Sequence, residues 1–144
     1  MDLALPTVQQ LSQIIGSVAA PAFLLGAVAA FVSALISRLN RVIDRSQMIH
    51  RIPENDPERS FLRKDIPRLK RRARLLNAAL INATLSAVIT ALIIVVAFIS
   101  AMLNLQHEYG VALLFMIALL FFVLSLFYLT REIYIGLDDL DHYA

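Results

Sequence analysis

The sequence contains no cysteine, which excludes disulfides, thiolate metal sites and cysteine nucleophiles and leaves the redox compartment open. Only four glycines occur in 144 residues, and none of them builds a phosphate-cradling loop or a nucleophile elbow. Charge is missing over long stretches: with histidine counted as neutral, none occurs from Leu3 to Ser37, from Leu75 to His107, or from Tyr109 to Thr130. Each gap is long enough for the roughly 20 apolar residues that cross a bilayer core. With no ionisable group inside them, a proton relay or a charged transport site of the usual sort is disfavoured. No carboxylate pair stands in an apolar setting, so the chain is read as not an enzyme and as needing no cofactor.

What is present is apolar. Hydrophobic residues make up 59% of the chain and the mean hydropathy is +0.72, more than a soluble core of this size can bury. The runs lack the period-two alternation of barrel strands, and in lipid a backbone that is not in a closed barrel must satisfy itself as helix. The predicted fold is therefore an all-α integral membrane protein with three transmembrane helices near 18–37, 76–103 and 111–130. Residues 7–18 are uncharged but amphipathic, with Val8, Leu11, Ile15 and Val18 opposite Gln9, Gln10, Gln13 and Ser17. They read as a separate interfacial helix on the outer face, bent at Gly16 and Pro21 into the first span.

Basic charge is concentrated in one place. Twelve of the thirteen Lys and Arg residues lie in 38–74, where five acids leave a net charge of +7; the rest of the chain, with one basic and six acidic residues, carries −5. A short, basic loop between spans stays in the cytoplasm, so the N-terminus is placed outside and the C-terminus inside. Leu39, Val42, Ser46 and Ile49 continue a helical spacing out of the first span, and Leu62, Ile66, Leu69, Ala73 and Leu76 run one into the second. Residues 38–74 are thus predicted to form a cytoplasmic helical hairpin extending the first two helices. Its turn is Pro53-Glu54-Asn55-Asp56-Pro57, with Asp56 as N-cap, and Pro67 kinks or restarts the returning arm. Residues 131–144 read as an acidic cytoplasmic tail, and the outer connection from Asn104 to Gly110 is too short for a domain.

Helices in lipid associate through small residues and interhelical polar contacts. Two rows at spacing four suggest packing faces: Ala22, Gly26, Ala30 and Ala34 on the first span, and Ala79, Ala83, Ala87 and Ala91 on the second. The third span is bulky all round and is expected to lie outermost, against lipid. A homo-oligomer follows. A polar stripe on the second span, Asn82, Ser86, Thr90, Ser100 and Asn104, either bonds to neighbouring helices or lines a pore. The run Arg68, Lys70, Arg71, Arg72 and Arg74 sits beside a span, where it can attract anionic lipid or a cytoplasmic protein partner. It lacks the aromatic interleaving of a nucleic-acid surface. Arg131-Glu132 forms a local ion pair, reaches the basic hairpin or, in the favoured reading, anchors at the interface. Two clusters hold metal-type ligands, His107-Glu108-Tyr109 and Asp138, Asp139, Asp141, His142, but neither has an established spacing, and both read as solvated polar ends.

An apolar first span followed by Arg38-Leu39-Asn40-Arg41 and Asp44-Arg45, the run Arg68-Leu69-Lys70-Arg71-Arg72-Ala73-Arg74-Leu75-Leu76-Asn77, and a third span closing on Leu129-Thr130-Arg131-Glu132-Ile133 together resemble the bacterial membrane proteins called domain of unknown function 2721. The likeness covers nearly the whole chain. It implies a bacterial inner-membrane location and supplies no catalytic or binding residues. The first functional reading is a homo-oligomeric ion channel lined by the polar stripe. The alternative is a non-conducting scaffold or adaptor whose basic hairpin binds anionic lipid or a protein.

Overall fold

A computed structural model describes residues 7–103 and 108–143, with the side chains of 108 and 139–143 outside that description. Three α-helices account for most of it: α1 is Val8–His50, α2 is Ile66–Met102 and α3 is Glu108–Tyr143. No strand occurs among the described residues. All three helices are long and apolar enough to cross a membrane. At 1.5 Å per residue, the 43 residues of α1 extend about 65 Å, roughly twice the thickness of a hydrocarbon core.

The start of α1 is set by a reciprocal cap. The Thr7 backbone N–H donates to Gln10 Oε1 at 2.9 Å and the Gln10 N–H donates to Thr7 Oγ1 at 3.4 Å, the two bonds of a capping box. From there the helix runs unbroken, with Pro21 inside it. This corrects the separate helix expected over 7–18. Pro21 is buried, so its ring fills the helix's packed face, and the backbone tolerates the one donor it lacks. Gly16 meets no neighbour and places no demand on the backbone.

Beyond His50 the chain turns. The Asp56 side chain caps as expected, accepting from the Glu58 N–H at 3.0 Å, but it caps a turn rather than an α-helix. Residues 60–65 form a 3₁₀ segment and α2 begins only at Ile66. Pro67 therefore stands in the first turn of α2, where its missing N–H has no intrahelical partner to lose. Most of the acidic segment from residue 131 is helical, because α3 continues to Tyr143.

Burial follows a seven-residue register on every helix. In α1 the buried positions include Pro21, Val28, Leu35, Val42 and Ile49. In α2 they are Leu69, Leu76, Ala83 and Thr90, with Ala79, Ser86 and Ile93 on the alternate step; in α3 they are Ala118, Ser125 and Glu132. A 3.5-residue period is that of helices packed knobs-into-holes along a supercoiled seam. The spacing-four rows drift off such a seam. Ala22, Gly26, Ala30 and Ala34 are all exposed; Ala79 and Ala83 are buried, Ala87 is half-buried and Ala91 is exposed. Most of α3 is exposed, and among its described side chains only the small and polar step of seven is buried.

The chain divides into two compact units. Unit 1 draws on the chain up to Phe31 and on Ala83–Phe122. Its core is Val18, Leu24, Val28, Ala83, Ile93 and Ala118. Phe31 meets Phe122 edge-to-face, with ring centroids 5.4 Å apart. Unit 2 draws on Val32–Asn82 and on the chain from Val123. Its core is Leu35, Val42, Ile49, Leu69, Leu76 and Ala79, together with the buried polar residues Ser125 and Glu132.

Candidate functional site: an arginine cleft around a buried glutamate

Two hydroxyls close the contact between α2 and α3, one in each unit. In unit 1 Ser86 Oγ donates to the Ala118 carbonyl at 2.8 Å; in unit 2 Ser125 Oγ donates to the Ala79 carbonyl at 2.6 Å. Thr90 Oγ1 donates to the Ser86 carbonyl at 2.7 Å and Asn82 Nδ2 to the Ala78 carbonyl at 2.8 Å. Ser86 and Thr90 are completely buried, so neither belongs to a water-accessible surface of this chain. Asn82 and Ser100 are half-buried. Asn104 lies outside the described residues, as do His107, the Glu108 side chain and the side chains of Asp139, Asp141 and His142. No group of three metal-ligating side chains comes together among the described residues.

Unit 2 contains the one completely buried charge among the described residues. Glu132 has 0% exposure. Its Oε2 accepts from Arg38 Nη2 at 2.9 Å, and its Oε1 accepts from Arg72 Nε at 2.9 Å, with Arg72 Nη2 2.8 Å from the same oxygen. Three helices thereby converge on one carboxylate: Arg38 from α1, Arg72 from α2 and Glu132 from α3. Two cations against one anion satisfy both carboxylate oxygens, which a buried charge requires. Gly136, one turn beyond Glu132, makes room for the fork: a Cβ there would stand 3.1 Å from Arg72 Nη2. Of the readings open for Arg131-Glu132, the reach into the basic segment is the one realised by Glu132. Arg131 instead lies over the Phe127 ring, 5.7 Å from its centroid.

Around this cluster is a cleft of about 230 Å³ lined by Arg38, Arg41, Val42, Arg45, Leu69, Arg72 and Glu132. Arg38, Arg41 and Arg45 follow one another at steps of three and four, so they share one face of α1. Arg41 and Arg45 make no ion pair among the described residues. Four guanidiniums and one carboxylate leave the lining at a formal +3. Of the predicted basic contacts, only Arg72 enters this cleft. Lys70, Arg71 and Arg74 are exposed elsewhere on α2, and Arg68 lies 3.9 Å from Asp138 of α3.

A family described as protein of unknown function (DUF2721) matches residues 18–142. The chain belongs to that family. The match takes in most of α1, all of α2 and nearly all of α3, including Arg38, Arg72 and Glu132. No curated protein and no solved structure matches the chain. The family assignment agrees with the resemblance carried by the basic motifs and by Arg131-Glu132.

Sequence reasoning missed the cleft because it grouped basic residues by proximity along the chain. A signal was nonetheless present: Ala118, Ser125 and Glu132 stand seven apart in an otherwise bulky helix, marking a face that large apolar residues avoid.

Proposed function

We propose that this protein is a non-enzymatic adaptor of a bacterial inner membrane, N-terminus outside, whose basic unit lies at the cytoplasmic face and engages anionic lipid head groups. The observation that supports this reading is the arginine-lined cleft held around Glu132. Basic residues beside a span attract anionic head groups at about 1 kcal/mol each, and here several are gathered on one unit. The conducting-pore reading has less support, because Ser86 and Thr90 are enclosed by the chain's own helices and their hydroxyls are bonded to carbonyls.

A second copy packs, in this reading, on the exposed row Ala22, Gly26, Ala30 and Ala34. Gly26 meets nothing within 4 Å, and small residues permit close helix approach in lipid. Gly26→Leu should then shift the detergent-solubilised protein to a smaller species by light scattering.

Lipid engagement is tested by replacing Arg41, Arg45, Lys70, Arg71 and Arg74 together with Gln. The wild-type chain should retain anionic lipid over zwitterionic lipid through purification, and the five-fold variant should not. Equal retention of both lipid classes by the wild-type chain would sink the reading.

A further inference from the structure

Glu132 needs one cation for neutrality and has two, and the same cleft then adds Arg41 and Arg45 without adding an acid. Asp44, which stands between them in sequence, lines the neighbouring larger groove and not this cleft. Four guanidiniums in so small a space repel one another, and Glu132 is the one acid in the cleft's lining, although Arg41 and Arg45 also border the neighbouring groove, which Asp44 and Glu58 line. Two of them are already ordered. Glu132 grips Arg72 through two nitrogens and Arg38 through one, so a ligand meeting these arginines avoids much of the cost of immobilising long side chains. Val42 and Leu69, both buried, form the apolar floor.

We propose that this cleft is a recognition site for a phosphate monoester, with Arg41 and Arg45 as direct ligands and Arg38 and Arg72 presented by Glu132 as a positioning residue. The proposal deepens the adaptor reading and rests on its premise that the basic unit engages anions. A monoester dianion suits a lining of formal +3 better than a singly charged diester, and guanidinium forks match phosphate oxygens in pairs. The volume of about 230 Å³ falls below the roughly 300–1,000 Å³ of sites for drug-sized ligands. It fits one phosphate group with some water rather than a nucleotide. The phosphate can come from a lipid head group or from a soluble monoester.

The test is native mass spectrometry of the full chain in detergent, titrated separately with dioctanoyl phosphatidic acid, dioctanoyl phosphatidylglycerol and glycerol 3-phosphate. The wild-type chain should form a one-to-one adduct with phosphatidic acid and bind phosphatidylglycerol more weakly. Arg41→Gln/Arg45→Gln should weaken the phosphatidic acid adduct by at least about tenfold, as expected when charge-assisted hydrogen bonds are lost. Arg71→Gln/Arg74→Gln removes the same charge outside the cleft and should cost less than about threefold. Arg41→Lys/Arg45→Lys keeps the charge without the fork and should fall between these, which guards against a glutamine variant that merely folds poorly. Glycerol 3-phosphate bound as tightly as phosphatidic acid would identify a soluble ligand, and its failure to bind a lipid ligand; either supports the site. Equal losses in the two glutamine doubles would overturn the site and leave the adaptor reading standing. Equal binding of the two lipids would overturn the monoester assignment, binding of glycerol 3-phosphate alone would keep the site and overturn the lipid-binding adaptor reading, and binding of none of the three by the wild-type chain would overturn both.

Discussion

Unit 1 and unit 2 share the same seven-residue register but close their seams with different chemistry. Unit 1 is uncharged over 8–31, 83–103 and 109–122; its buried polar groups are hydroxyls, Ser86 and Thr90, whose donors end on carbonyls within the same unit. Unit 2 uses one such hydroxyl, Ser125, and then buries a carboxylate that three helices must agree on. A hydroxyl donor needs one acceptor, and every turn of helix exposes carbonyls that can share a second bond. A buried carboxylate needs cations brought to it in a particular geometry. Unit 1 should therefore tolerate substitution in proportion to volume, whereas unit 2 should fail abruptly when a charge is left unpaired.

The largest effect should come from Glu132→Gln, which leaves Arg38 and Arg72 facing each other. Breaking a buried pair typically costs about 3–5 kcal/mol, read as a marked fall in the thermal midpoint of the detergent-solubilised protein. Replacing all three residues with apolar ones of similar size, Arg38→Met/Arg72→Met/Glu132→Leu, should recover most of that loss, because an apolar core no longer has a charge to satisfy. If Glu132→Gln melts like the wild-type chain, the contrast between the units is wrong.

Next is Thr90→Leu in unit 1, which overpacks a completely buried position and should cost about 1–3 kcal/mol. The same variant separates the core reading from the pore reading. Unchanged stability together with a reduced ion flux in proteoliposomes would favour the pore. Ser125→Ala removes one interhelical bond and should cost roughly 0.6–2 kcal/mol by chemical or thermal melting.

The smallest comparison uses two glycines. Gly26→Ala meets no atom of its own chain and should stabilise α1 of the monomeric species by roughly 0.5–1 kcal/mol through helix propensity. Gly136→Ala gains the same propensity but presses on a guanidinium that Glu132 holds in place, so its net gain should be smaller or reversed. Equal gains at the two sites would mean that Arg72 yields freely and is not pinned.

Helix existence was legible because uncharged runs of this length leave the backbone no option in lipid but to bond to itself. Helix ends were less so. Pro21 suggests a break, yet a proline on the packed face costs one hydrogen bond and fills space, and α1 runs through it. Asp56 and Pro57 carry the marks of a helix start, yet they cap a turn, and the helix waits until Pro67 offers a second first-turn position. Within the chain the buried positions keep to seven, whereas 3.6 residues per turn lets a row of four drift across a face, so Ala22, Gly26, Ala30 and Ala34 stay exposed and open to a second copy.

The sequence by itself determined three long helices, the confinement of nearly all basic charge to 38–74, and the small or polar step Ala118, Ser125, Glu132 on a bulky helix. These are local properties, set by hydropathy, composition and spacing within one element. Only the tertiary structure decided that Arg38 and Arg72, 34 positions apart, meet on Glu132, and that Arg41 and Arg45 share their cleft while Arg71 and Arg74 do not. The reason is rotational: which guanidiniums converge depends on how each helix is turned about its axis, and that is settled by the packing of side chains along all three seams at once.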